Sequence, residues 1–519
     1  MSNHMPSITS LNKSDMMTDA EKIFDRRRKT FGLFAGPVLG LIVYFMPIAG
    51  LKWDAHALLA ILTFCATWWL TEAVPIPVSC LLGPLIAAMI GVASPTAAFA
   101  AFANPLIFLF MGSFMIAKAM TIHGLDKRIA YGMLSLKWVG SSPPRILLVF
   151  GIVTALISGW VSDTATTAMM YPIGMGLLVA LRDMQVRQGK QIDLSAYKYA
   201  TGLMLMAAYA SAAGGVLTPV GTAPNILAMG LLEQIAHIKI SFFDWMIWGV
   251  PMTILYFAVV YIVLLKMFPA DVRHIEGAEE FIREKRTELG KISVGERNAI
   301  IAFVMAVILW VLPGPLEVIL GRTPFVKAFQ AIFPEALVAM MGGILLFLLP
   351  VNWQERRFTL NWREANEGIE WGTLLLFGGG LSLGGMMYST GLAKWLGQII
   401  VAYSGAHSSV AMIALFSTIS LFMAELTSHT ATTNMVAPLG ITTAMAAGLN
   451  PVPIAISIAI ASSLGFMMPI SSPPTAIVFG SGLVPFTRMV KAGITIDIIG
   501  LTIVTIPVMY YVSKWMGFF

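Results

Sequence analysis

SGWVSDTATTAMMYPIG, residues 158–174, comes back 266 residues later as AELTSHTATTNMVAPLG, residues 424–440. Each copy sets a cluster of hydroxyls in an apolar run and closes it with a proline and a glycine, Pro172 and Gly174 against Pro438 and Gly440. One central letter differs, Asp163 against His429.

Two more segments repeat on either side of this string. Upstream, FMGSFMIAKAMTIHGLDK (110–127) matches FGGGLSLGGMMYSTGLAK (377–394), sharing Phe110/Phe377, Gly112/Gly379, Gly124/Gly391 and Lys127/Lys394. Downstream, GGVLTPVGTAPNILAMG (214–230) matches LGFMMPISSPPTAIVFG (464–480), sharing Gly215/Gly465, Pro219/Pro469 and Pro224/Pro474. Three pairs in one order make an internal repeat, the arrangement of carriers that hold a ligand between two related halves.

Composition places the chain in a membrane. Hydrophobic residues are 57% of it and charged residues 12%, half the usual share of a soluble domain; mean hydropathy is +0.80. Uncharged runs at 31–51, 371–393 and 430–487 are long enough for helices that cross a bilayer, and none alternates as a membrane strand would. The formal charge of +6 lies largely in short flanks such as KIFDRRRK (22–29), which reads as a cytoplasmic anchor, not as a nucleic-acid surface. The N-terminus is therefore expected on the cytoplasmic side, in a bacterial inner (plasma) membrane. Cys65 and Cys80 sit in apolar context and read as core thiols.

The chain divides into an N-terminal segment (1–30), a first half (31–267), a polar connector (268–297) and a second half (298–519). The first half holds an expected hairpin at 104–124, SDT at 162–164 and GTAPN at 221–225; the second holds a hairpin at 371–391, SHT at 428–430 and SSPPT at 471–475. Such strings suit helices interrupted inside the membrane, whose freed N-termini favour an anion and whose carbonyls favour a cation. Ser, Thr and Gly at helical spacing also serve as plain packing contacts between membrane helices; duplication of the whole set argues for a site.

The pattern resembles the divalent anion:sodium symporter (DASS) family of di- and tricarboxylate carriers. TEAVPIPVS (71–79), NPLIFLFMGSFMIA (104–117), WGTLLLFGGGLSL (371–383), GLAKWLG (391–397) and PPTAIVFGSG (473–482) carry the likeness. The resemblance implies an all-α polytopic membrane protein with two inverted repeats, re-entrant hairpins and broken helices. It also implies a homodimer of eleven-helix protomers, each a scaffold plus an elevator-type transport domain. It implies a small dianion as cargo: succinate, malate, fumarate, citrate, tartrate or, in some branches, sulfate. By position, Ser162, Thr164, Ser428 and Thr430 meet the substrate, with Thr222, Ser472 and Pro473 alongside. In sodium-coupled members one cation sits at positions matching Ser158, Ser162, Gly221 and the middle residue of the first triplet. A second sits at positions matching Ala424, Ser471 and the middle residue of the other.

This sequence departs from the family where it matters for coupling. The middle Asn of each triplet, which there touches both cation and substrate, is Asp163 in one half and His429 in the other. Ala424 stands where the first half has Ser158, and we expect no sodium in the second half. In the first, Asp163 would strengthen a cation site (Ser158, Ser162, Asp163, Gly221) but repel a dianion unless a cation intervenes. Lys118, isolated in its membrane segment, offers a partner: it is expected to pair with Asp163 and stand in for sodium, or else to snorkel at the hairpin end. His429 reads as a proton-responsive ligand, and Glu425 as structural or gating.

Fixed positive charge in place of sodium predicts sodium-independent anion exchange; a titrating His429 or Asp163 predicts proton coupling, and a retained first site predicts sodium coupling. Exchange is the leading expectation, and no further cofactor is expected. An intramembrane hydrolase is the reading from another class, since Ser, His and Asp are all present. However, Ser428 and His429 are adjacent, so on a helix they would point about 100° apart, and no nucleophile elbow or paired-histidine metal motif accompanies them.

Overall fold

The computed structural model describes residues 19–187, 194, 197–270, 272, 274–275, 277–405, 407–469 and 471–518. The first 18 residues of the expected N-terminal segment, and part of the polar loop after residue 187, lie outside the described residues. Among the described residues, seven helices are long and apolar enough to cross a membrane, or eight if the pair Pro324–Ile332 and Glu335–Leu348, bent by 49°, counts as one span. Four shorter apolar helices of 10–17 residues join them. One small antiparallel hairpin, Pro350–Asn352 with Arg357–Phe358, is the only sheet among those residues.

The basic segment at 22–29 belongs to the helix Asp19–Phe45, and Arg28 ties it to the next helix through Glu72 at 2.9 Å. The connector is anchored as well. Arg128 reaches across to Glu296 at 2.6 Å and to the carbonyls of Leu289 and Gly290, both at 3.0 Å.

The expected hairpin segments extend further than their sequence bounds. Each begins as one unbroken helix, α1 (Pro105–Ile122), capped by the Asn104 side chain on the Leu106 N–H at 2.9 Å, and α6 (Trp371–Ser389). The chain turns at Gly124 (φ 74°) and Gly391 (φ 79°), left-handed positions that favour glycine, into Leu125–Leu134 and Leu392–Ser404. Phe110 and Phe377, matched in the repeat, meet edge to face at 6.3 Å.

The remaining repeated parts form two equivalent series. In the first half, α2 (Pro143–Ser158), α3 (Asp163–Arg187) and α4 (Lys198–Gly215) lead to a break and a short α5 (Ala223–Leu231). In the second, α7 (Ser409–Leu426), α8 (His429–Ala446) and α9 (Pro451–Ser463) lead to a break and a short α10 (Pro473–Phe479). In each series the first and second helices pack on the third. Small residues make the breaks fit: a Cβ on Gly221 would collide with the carbonyl of Gly215. After α10 the chain continues through α11 (Phe486–Ile499). The core is largely apolar, and some polar atoms that enter it find a backbone partner, as Tyr209 Oη does at Phe466 O, 2.7 Å away.

Candidate functional site

Both triplets sit at helix N-termini. Ser162 precedes α3, and its Oγ accepts the Ala165 N–H at 3.3 Å; Ser428 precedes α8, and its Oγ accepts the Ala431 N–H at 3.2 Å. Asp163 and His429 are thus the first residues of their helices, with Thr164 and Thr430 next. Asp163 Oδ1 accepts the N–H and the hydroxyl of Thr164, at 2.7 and 3.3 Å. GTAPN and SSPPT do the same at the other two breaks: Thr222 precedes α5, and Ser472 caps α10 in a reciprocal pair with Thr475.

These N-termini converge on one cavity of about 290 Å³. Its lining includes Ser162, Asp163, Thr164, Gly221 and Thr222 from the first half, and Ser428, His429, Thr430, Ser472 and Pro473 from the second. The N-terminus of α6 reaches it too, through Gly372 and Thr373, and Phe110 and Phe114 of α1 supply an apolar wall. Each helix start presents unpaired N–H groups and about half a positive charge, so the cavity can hold an anion at both ends without a basic side chain.

Two expected members lie elsewhere. Ser158 does not line the cavity; it is fully buried behind it, its Oγ donating to Ser211 O at 2.6 Å. Lys118 is also absent from the lining, and no ion pair joins it to Asp163 among the described residues. It falls on the face of α1 that carries Phe110 and Phe114, but a turn beyond them, and its stem packs where a Cβ on Gly368 would be 2.7 Å away. The expected Lys118–Asp163 pair is therefore not made; Lys118 lies one helical turn beyond the cavity wall at Phe114.

A residue the sequence reading passed over takes part instead. Glu370, just before α6, lines the cavity together with Ser162 and accepts the Thr373 hydroxyl at 3.0 Å. Its signal was its position directly before WGTLLLFGGG, where the first-half repeat has no acid. The cavity thus carries two carboxylates, Asp163 and Glu370, with no lysine or arginine among the described residues of its lining.

The two halves offer different donors to a cation. At the first triplet the donors are oxygen, as a hard cation needs: the Asp163 carboxylate and the Ser162 hydroxyl. In the break before α5 the Asn225 amide oxygen is also buried. That oxygen has no partner among the described residues, while its amide nitrogen holds Gly215 O and Thr218 O at 2.9 and 2.8 Å. The second half does not match. Ala424 has no side-chain donor, His429 brings a ring nitrogen, and Ser471 turns its hydroxyl to Gly465 O and Met468 O at 3.3 and 2.8 Å.

A polytopic helical chain that turns paired helix N-termini on a shared polar cavity is built as a membrane carrier. The comparisons with known proteins say which one. The family model described as the sodium:sulfate symporter transmembrane region matches residues 27–518, and the chain belongs to that family, the DASS family of the sequence resemblance. It is a transporter family, not one of enzymes. The chain is similar to the sodium-dependent dicarboxylate transporter SdcS of Staphylococcus saprophyticus, 32% identical over 98% of both chains. It is 34% identical to the Staphylococcus aureus (strain USA300) protein of the same name, over 93% of this chain and 90% of the relative. Among solved structures, the YdaH transporter of Alcanivorax borkumensis shares the fold, with a TM-score of 0.53, 15% identity and coverage of 96% of this chain and 98% of that one.

Proposed function

We propose that this protein is a secondary active carrier of small divalent organic anions, C4-dicarboxylates such as succinate, malate and fumarate, and that each anion travels with a cation held beside the first triplet. The observation that carries this reading is the charge of the cavity: hydroxyls and helix N-termini suited to two carboxylates, yet Asp163 and Glu370 in the same lining and no fixed positive side chain among its described residues. A dianion entering there is repelled unless a cation enters too. The oxygen donors around Ser162 and Asp163 suit sodium, and the relatives at 32–34% identity are named as sodium-dependent dicarboxylate transporters.

Obligate exchange without sodium, the leading expectation from the sequence, depended on Lys118 filling the place of a cation. With Lys118 packed on Gly368, that support is gone and cation-coupled uptake takes precedence. The family resemblance further supports inverted repeats, an elevator-type movement and a homodimer. The basic cluster at 22–29 supports a cytoplasmic N-terminus in a bacterial inner membrane.

Counterflow in proteoliposomes tests the cargo. Labelled succinate should enter vesicles loaded with unlabelled succinate, malate or fumarate. Counterflow driven by internal sulfate but by no dicarboxylate would overturn the assignment.

A further inference from the structure

Behind the second triplet lies a group of ionisable side chains that the substrate cavity does not use. Glu425, near the end of α7, and Asp497, in α11, are both buried, at 2% and 6% exposure. Each is also held by the backbone of the break after α9: Glu425 accepts the Met467 and Met468 N–H groups, both at 2.9 Å, and Asp497 Oδ1 accepts the Phe466 N–H at 3.3 Å. His429 stands on the other side. Its Nε2 is buried and has no partner among the described residues. A Cβ on Gly465 would lie 3.1 Å from Glu425 Oε1 and 3.6 Å from His429 Nε2, so both atoms border the space this glycine leaves open.

We propose that Glu425, Asp497 and His429 form a proton-binding site, and that the carrier moves a proton with its anion through the second half. Asp497 and Glu425 accept the N–H groups of the consecutive residues Phe466, Met467 and Met468, which sets their carboxyl groups side by side, and two like charges so close inside a membrane cannot both be ionised, so the pair keeps a proton. The groups that face the pair from its neighbours add no cation to replace that proton. They are Tyr209 of α4, Tyr256 of the helix Phe242–Met267 and His429 of α8, and among the described residues neither carboxyl group forms an ion pair with a lysine or arginine. Intramembrane carboxyl and imidazole groups arranged in this way serve as proton relays in pumps and transporters. His429 connects the pair to the cargo, because the same residue lines the substrate cavity. The first half then holds a cation through oxygen donors and the second holds a proton through titratable groups, and Asp163 against His429 marks the division.

This inference rests on the proposed transport function, and two measurements on the full-length protein in proteoliposomes separate the two. In the wild type, an inward acid gradient should drive succinate accumulation, and one pH unit is worth up to about tenfold per proton carried. A pH-sensitive dye in the lumen should report acidification in step with succinate entry. Asp497→Asn, outside the substrate cavity, mimics a permanently protonated partner of Glu425; it should keep succinate counterflow and lose the response to the pH gradient. Wild-type entry without lumenal acidification, or an unchanged gradient response in Asp497→Asn, would overturn the proton site. Should that variant fail to fold, the dye measurement on the wild type still decides. Absence of counterflow for any dicarboxylate in the wild type would overturn the transport function itself.

Discussion

Ser162 and Ser428, far apart in the chain, cap their helices alike. Besides the Oγ contacts of 3.3 and 3.2 Å to Ala165 and Ala431, their carbonyls accept the Thr166 and Thr432 N–H groups at 3.0 and 2.9 Å. The difference comes one residue later, where Asp163 Oδ1 accepts from Thr164 and His429 Nε2 borders the space at Gly465 that Glu425 Oε1 also borders. On the proposed function, the shared geometry binds the anion and the unshared side chains set the coupling.

Ser162→Ala and Ser428→Ala each remove a cap and a cavity hydroxyl. Each should cost about 1 kcal/mol of stability, read as a lower melting temperature in detergent. Each should also weaken succinate by up to about tenfold, on the loss of a further ~1.4 kcal/mol of binding, read as the half-saturating concentration in counterflow. Unchanged affinity in both variants would exclude the serines from substrate binding.

Asp163→Asn restores the residue that the family keeps there. Removing one charge from the cation shell should raise the sodium concentration needed for half-maximal uptake by about tenfold, a change of ~1.4 kcal/mol, while counterflow persists. A sodium dependence identical to wild type would place the cation elsewhere.

Lys118→Met keeps the stem that packs on Gly368 and removes the ammonium. Transport and sodium dependence should stay close to wild type, because Lys118 does not line the cavity. Collapse of transport in this variant, reversed by adding Asp163→Asn, would reinstate the salt bridge that the structure lacks.

Gly112 lets α1 approach the helix Glu335–Leu348, since a Cβ there would collide with the Ala339 backbone. Gly112→Ala should therefore lower stability by about 1–3 kcal/mol, read as a lower melting temperature and reduced yield from the membrane. A melting temperature equal to wild type would show that the contact relaxes without cost.

The cavity-lining residues are legible in the sequence because they occur twice. SDT against SHT and GTAPN against SSPPT named both ends of the cavity before any coordinates, since matched segments in a repeat take matched places. Features without a counterpart were not legible. Glu370 lies at the edge of a repeated segment and has no acidic equivalent in the first half. Which of the two readings of Lys118 holds is not legible, because sequence gives its helical face but not its depth, and one turn of α1 separates the cavity wall at Phe114 from the contact with Gly368. Ser158 and Asn225 fill the layer behind the cavity, and sequence spacing does not separate lining from backing. Glu425 and Asp497 belong to helices whose contact no local pattern announces.

The central claim, that a cation accompanies the dianion through the first half, is tested most directly by uptake into empty vesicles. Proteoliposomes without internal substrate, at equal pH on both sides, are given labelled succinate with an inward sodium gradient or an equal gradient of potassium. Accumulation with sodium and not with potassium is the expected result. Uptake that ignores sodium and appears only when the vesicles are preloaded with dicarboxylate would contradict it and restore obligate exchange.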